Sequence, residues 1–369
     1  MPIAIRSFAK INLGLRIGAE RADGFHELRT IYQTLALHDV IRVEVQPGDG
    51  IEIRCNNPLV PLDGSNTCYK VAERVVRAIQ AGIAEVPRGL KPSAEGDLGG
   101  TAKAVPLQGY NRESPDIGKI VIDIDKRLPV QGGMGGGSSN AAATMLGLER
   151  ALQVKISAQD KMRIAAEVGS DVPLFLIGGT VLGVGRGEEV YPLQDLPTMH
   201  FVVVTPPVSV STPKAFAQWE ALVTREAALT DAEAAGTINE FGQAVYVWLS
   251  GSVFSRVVSA SEPASGVPAV GGDRAETPLL DLVRAGIEND FERVVFPEYP
   301  DLREVKRVLE REGARYASLS GSGSTLYGLF GSGEEAHAAA TRMSASGHAA
   351  IATTTLTREE YWRAVVRDS

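Results

Sequence analysis

The chain contains one stretch suited to meeting an anion. In Gly132-Gly133-Met134-Gly135-Gly136-Gly137-Ser138-Ser139, five of the six positions from 132 to 137 are glycine. Glycine has no Cβ, so the main chain can come close to a phosphate. Ser138 and Ser139 are good helix caps, and their hydroxyls can also reach a phosphate or its magnesium. A second loop, Ser320-Gly321-Ser322-Gly323-Ser324, offers free backbone donors of the same kind. Other groups that could do chemistry are Lys10 with Asn12, Asp171 in Gly169-Ser170-Asp171-Val172-Pro173, and Phe25-His26 just past the Asp23-Gly24 turn.

These groups need elements to hold them. Ile120-Val121-Ile122-Asp123-Ile124 alternates like a strand ahead of the first glycine loop, and Ala141-Ala142-Ala143-Thr144-Met145-Leu146 starts a helix after it. Strand, glycine loop and helix start leave N–H groups without intrahelical partners, and the helix dipole adds about half a positive charge there. A flexible linker is not framed in this way. The common P-loop does not fit, because Ile120 follows Gly118-Lys119, and the clustered glycines do not match a dinucleotide fingerprint.

Strand periodicity from Ser7 to Leu15 puts Ala9, Ile11, Leu13 and Leu15 on one face and Phe8, Lys10, Asn12 and Gly14 on the other. The second face either is solvated or lines a pocket. Asp171 reads first as a turn or cap residue and second as a carboxylate at the edge of a site. Phe25 is a core ring or a stacking platform for a base.

Elsewhere, 29–46 reads as sheet. Residues 66–81 read as a helix with Val71, Val75, Val76 and Ile79 inward and Ser65 as its cap. Residues 84–118 read as an inserted surface loop, 158–168 as a helix and 178–185 as a glycine-punctuated strand. The second half predicts a strand at 199–204, a helix opened by Ser211-Thr212-Pro213 and running through Phe216 and Trp219, and a mobile loop at 258–278. A helix at 301–312, strands on both sides of the second glycine loop, a helix at 333–346 and a strand at 349–355 complete an α+β half.

Length and composition bound the function. A chain of 369 residues should form about two domains. Its net charge of −8 argues against a nucleic-acid partner, and any positive surroundings for an anionic substrate must be local. No apolar run is long enough to span a membrane. Two cysteines without metal spacing point to a reducing, cytoplasmic setting. His26-Glu27 lacks the second histidine of a zinc-protease motif.

Lys10 with Asn12, the glycine loop into Ser138-Ser139, and Leu319-Ser320-Gly321-Ser322-Gly323 together resemble the three motifs of the GHMP small-molecule kinases. More narrowly, Ala9-Lys10-Ile11-Asn12-Leu13, Arg21-Ala22-Asp23-Gly24-Phe25-His26 and Gly169-Ser170-Asp171-Val172-Pro173 resemble one branch of that family. That branch uses ATP to phosphorylate the 2-hydroxyl of 4-diphosphocytidyl-2-C-methyl-D-erythritol, on the non-mevalonate route to isoprenoid precursors.

The resemblance implies a two-domain α+β GHMP kinase fold. Residues 1–196 would form an N-terminal β/α domain with the ATP loop at 131–143, and 197–369 a C-terminal ferredoxin-like α/β sandwich. It implies Lys10 and Asp171 as the catalytic pair, the acid either taking the hydroxyl proton or mainly orienting the hydroxyl, and the amine steadying both the acid and the moving phosphoryl group. ATP would lie on Pro129, Gln131, Gly132, Gly133, Met134, Gly135, Gly136, Gly137, Ser138 and Ser139, with adenine near Asn66 and magnesium near Ser138 or Ser139. The metal ligands stay unassigned. Asn12, Phe25, His26, Thr212 and Phe216 would bind the second substrate, its cytosine held between Phe25-His26 and Phe216. A relative acting on mevalonate, homoserine or a sugar would not need that aromatic clamp. A sensor without turnover would not need both Lys10 and Asp171.

Overall fold

The structure is a computed structural model that describes residues 1–83, 117–130, 132–229, 245 and 288–365. Nearly all of the 84–118 insert, the 258–278 loop and Gln131 of the ATP loop lie outside the described residues.

The first sheet is built on two long strands, β1 (Ile3–Glu20) and β2 (His26–Gln46), joined at the Asp23-Gly24 turn. It has six strands, with β3 (Ile51–Cys55), β4 (Lys119–Asp125), β2, β5 (Thr180–Val184) and β6 (Glu189–Pro192) in that order and β1 paired to β2. Helices α1 (Thr67–Gln80), α2 (Gly136–Ala151) and α3 (Ala158–Val168) contribute to the core of this half. Small residues bring α2 close to the sheet. Ala141, Ala142 and Ala143 are buried, and a Cβ on Gly147 would stand 2.7 Å from Val43 Cγ2. The cap of α1 is Asn66, not Ser65, because the Asn66 side chain accepts the Cys68 N–H at 2.8 Å.

The second sheet has four strands, β7 (His200–Val204), β8 (Tyr316–Leu319), β9 (Leu326–Phe330) and β10 (Ala350–Thr354), in the order β10-β7-β9-β8. Every pairing in it is antiparallel, which with its helices is the ferredoxin-like arrangement. Its helices are α4 (Thr212–Leu229), α5 (Glu292–Glu298), α6 (Pro300–Arg311) and α7 (Gly333–Ala345). On α6, Leu302, Val305 and Leu309 point inward at helical spacing.

The last helix, α8 (Arg358–Val365), departs from the expected boundary at 196/197. Its Tyr361 joins the core of the first half and donates to the Phe175 carbonyl at 2.6 Å, while Trp362 Nε1 donates to the Ile177 carbonyl at 2.9 Å. Aromatic rings with a polar end find both an apolar seat and a carbonyl there.

A third apolar cluster forms the seam between the sheets. Ala9, Ile11 and Leu13 of β1 and Ile31 and Leu35 of β2 pack with Phe201, Val203, Tyr327 and Leu329 of the second sheet. Strand β1 is therefore covered on both faces, which is why Lys10 and Asn12 are buried as well as their apolar neighbours. Register shifts between Phe8 and Lys10 and between Asn12 and Gly14 break the simple alternation. Bulges of this kind re-aim side chains; Phe8 packs in the first core, and Lys10 reaches Asp171 and the Tyr32 ring. Among the described residues no helix is long and apolar enough to cross a membrane.

Candidate active site

Lys10 Nζ lies 3.2 Å from Asp171 Oδ2 and donates to Asn12 Oδ1 at 2.7 Å. Asn12 Nδ2 in turn donates to Thr30 Oγ1 at 2.7 Å, which fixes the amide and so the acceptor that Lys10 uses. The ammonium is 4% exposed and the carboxylate 29%, so the pair opens to solvent through the acid. Asp171 follows α3 in the turn before Pro173, but its side chain caps nothing. One oxygen faces Lys10 and the other accepts from Tyr32 Oη at 3.0 Å. The carboxylate thus faces Lys10 and Tyr32 and not a helix end.

The glycine loop ends beside this pair. Gly135, at φ +68°, is the N-cap of α2, no side chain caps the helix, and its first turn holds no acid. A Cβ on Gly135 would stand 3.0 Å from Lys10 Cγ, so only glycine lets the lysine stem pass. The head of α2 thus has no side-chain cap and no acid in its first turn, with the Lys10 stem beside it, and helix starts of that kind suit an anion.

The second loop closes against the first. Thr325 N donates to the Gly132 carbonyl at 3.1 Å and Ser320 Oγ to the Gly133 carbonyl at 3.0 Å. Gly133 has φ +77°, and a Cβ there would fall 2.4 Å from the Ser320 carbonyl oxygen. A Cβ on Gly321 would sit 3.3 Å from Asn12 Oδ1, so the two loops, Lys10 and Asn12 share one small volume.

Several expected contacts are redistributed. Ser139 is 1% exposed and accepts from Ser7 Oγ at 2.7 Å, so its hydroxyl turns into the core and Ser138 is the one left on the open side of the loop. Met134 offers only backbone, since its side chain is buried in the seam and its carbonyl accepts Lys10 N–H at 3.0 Å. Asn66 neighbours the loop through Thr67, whose hydroxyl donates to the Gly137 carbonyl at 2.7 Å. Its own amide is committed to the α1 cap and to the Pro61 carbonyl, so adenine recognition by that side chain is not supported.

The aromatic residues gather at the β1–β2 turn and the start of α4. Phe25 is 52% exposed, which removes the core reading, and the Arg186 guanidinium lies 4.9 Å from its ring centroid. His26 and Phe216 stack with centroids 5.4 Å apart and planes within 5°, and Phe291 supports Phe216 edge-on. Rings this close leave no room for a base between them without parting. Thr212 Oγ1 pairs with Ser322 Oγ at 2.7 Å, linking the start of α4 to the second glycine loop.

Three further residues enter the site that periodicity did not single out. Tyr32 is buried on β2, and burial, then the Asp171 charge, push its phenol well above the usual value, so it stays a donor. Lys126 is a second buried cation by the loop. It pairs with Asp39 at 2.6 Å and stands 3.1 Å from where a Gly136 Cβ would be. Asp39 also accepts the backbone N–H groups of Arg127 and Leu128 at 2.7 Å each, anchoring the strand end that feeds the loop. The only signal for Lys126 is its place just ahead of the glycine run.

With this geometry established, the comparisons with known proteins discriminate among the GHMP members. Family models described as GHMP kinases N terminal domain and GHMP kinases C terminal match residues 102–179 and 276–349. The 4-diphosphocytidyl-2-C-methyl-D-erythritol kinase of Solibacter usitatus (strain Ellin6076) is 32% identical over 88% of this chain and 80% of its own length. The chain belongs to the GHMP kinases, in the family of that enzyme. The enzyme of the same name from Prosthecochloris aestuarii (strain DSM 271 / SK 413) is 32% identical over 93% of this chain and 94% of its own. A crystal structure of a 4-(cytidine 5'-diphospho)-2C-methyl-D-erythritol kinase superposes with a TM-score of 0.62 at 26% identity, covering 96% of this chain and 99% of the other. The chain is thus a GHMP small-molecule kinase in which the glycine loop and the Lys10–Asp171 pair lie side by side.

Proposed function

We propose that this kinase transfers the γ-phosphoryl group of ATP to the 2-hydroxyl of 4-diphosphocytidyl-2-C-methyl-D-erythritol, in a cytoplasmic route to isoprenoid precursors. The observation that carries the chemistry is the 3.2 Å contact of Lys10 with Asp171 beside the open head of α2. The relatives' shared name supports the choice of acceptor.

In the transfer, the substrate hydroxyl gives its proton to Asp171 and its oxygen forms a bond to the γ-phosphorus. The bond from that phosphorus to the bridging oxygen breaks, and ADP leaves. Such reactions ask for positioning and charge stabilisation more than for covalent help. The amides of Gly135 to Ser138 and the Lys10 ammonium meet the phosphates, while Phe25, His26, Phe216 and Thr212 face the cytidine end.

The residues fit a magnesium ion that arrives with the nucleotide. Among the described residues no cluster of three His, Cys, Asp or Glu side chains forms a dedicated cage. Magnesium characteristically keeps waters and phosphate oxygens with few protein ligands. Ser138, on the open side of the loop, would hold it, and the ion would neutralise charge on the β- and γ-phosphates.

The test is turnover. Purified protein with ATP and 4-diphosphocytidyl-2-C-methyl-D-erythritol should release ADP and the 2-phosphorylated product. Binding without turnover, or better turnover of mevalonate or homoserine, overturns the proposal.

A further inference from the structure

The glycines that punctuate β5 and the turn after it have no part in phosphate binding, yet two of them shape the site. A Cβ on Gly183 would lie 2.5 Å from Tyr32 Cε2, and one on Gly187, at φ +94°, would lie 2.5 Å from Tyr32 Oη. Two bare positions of one hairpin thus make the seat for a single phenol. That phenol is 2% exposed, donates to Asp171 Oδ1 at 3.0 Å, and presents its ring to Lys10 Nζ at 5.3 Å from the centroid. It therefore touches both members of the catalytic pair from the side away from solvent.

We infer that Tyr32 is a positioning residue for phosphoryl transfer, holding the plane of the Asp171 carboxylate through Oδ1 while Lys10 holds Oδ2. The inference rests on the kinase reading above. The terminal torsion of an aspartate is broad and soft. A single ionic contact leaves the carboxylate free to swing about it, and a second donor on the other oxygen stops that motion. A carboxylate offers about four lone-pair sites, so lone pairs remain on both oxygens, and their direction is set before the substrate hydroxyl arrives. The burial that keeps the phenol protonated keeps it a donor throughout the working pH range.

The experiment is Tyr32→Phe, alone and in an Asp171→Ala background, with kcat, both KM values and thermal unfolding measured together. Alone, the substitution should lower kcat by about tenfold to a hundredfold, the cost of misplacing a reacting group. KM for either substrate should change less than about twofold, the mark of a group acting after binding. In the Asp171→Ala background, Tyr32→Phe should cost nothing further, because residues acting as one unit are not additive. An unchanged kcat, or an equal cost in both backgrounds, overturns the inference.

If Tyr32→Phe is too unstable to assay, Gly187→Ala reads the same contact by placing a methyl against the phenol oxygen. It should lower kcat, and an unchanged kcat in that variant sinks the idea. A wild type that fails to turn over defeats the kinase reading itself. A working wild type indifferent to Tyr32→Phe defeats only this inference.

Discussion

Asn289 donates through Nδ2 to the carbonyl oxygens of Leu319 and Gly321, at 2.8 Å each, and its backbone bridges to Leu15 on β1. One buried amide thereby ties the second glycine loop to the strand that carries Lys10. Asp290 beside it accepts from Arg16 Nη1 at 2.6 Å and from the Ile17 N–H at 2.9 Å, a second stitch between the same segments. Asn289→Ala strands two carbonyls in the interior. It should cost about 1–3 kcal/mol in urea unfolding and raise KM for ATP. A variant with wild-type stability and KM would show that the loop holds itself.

Gly133 is the tightest point of contact between the two loops. Alanine there meets the Ser320 carbonyl at 2.4 Å and must also hold φ +77°, which L residues avoid. Gly133→Ala should weaken ATP binding by at least about tenfold, corresponding to about 1.4 kcal/mol. Calorimetric titration with a non-hydrolysable ATP analogue measures it, and unchanged affinity would mean the loop bends without cost.

Removing the acid separates chemistry from binding. Asp171→Ala should lower kcat by about 10²–10⁴ while nucleotide affinity stays near wild type. A parallel loss of nucleotide affinity would instead make Asp171 a scaffold for the loop.

Phe25 stands exposed under Arg186, with no core to support. Phe25→Ala should therefore leave the unfolding midpoint nearly unchanged and raise KM for the cytidine substrate more than KM for ATP. Base stacking contributes about 1–3 kcal/mol per base, which sets the scale of the rise. Equal effects on the two KM values would remove the base platform from Phe25.

The two cysteines should differ in reactivity. Burial pushes the Cys68 thiol up to about 12, whereas Cys55 is only partly covered. Thiolate is the reactive form, so a thiol reagent at mild alkaline pH should modify Cys55 in the native protein and reach Cys68 only in denaturant. Rapid labelling of both thiols in the native state would show that α1 opens readily.

The parts of this enzyme that could be read from the linear chain are those whose physics is local. The strand that carries Lys10 and the glycines clustered ahead of an alanine-rich helix are legible within a few neighbours, whereas the local letters leave Lys10 and Asp171 open, and only their company with the distant motifs marks them as candidates. Helices α3 and α6 were legible for the same reason, as the 3.6-residue period is a short-range signal. Tyr32, Asp39 and Asn289 were not, because each acquires its role from partners far along the chain: Asp171, Lys126 and Gly321.

Ser139 and Asn66 show the converse. Their residue types suit ligand contact, but Ser7 and Pro61 claim their polar atoms once the chain folds. The return of α8 to the first core is likewise a matter of which apolar surface is left to cover, and no local pattern encodes that. Spacing along the chain names the groups that can do the chemistry. Burial and long-range hydrogen bonding then decide which of them keep a polar atom uncommitted, since a polar atom taken inside must be satisfied by whatever the fold brings beside it.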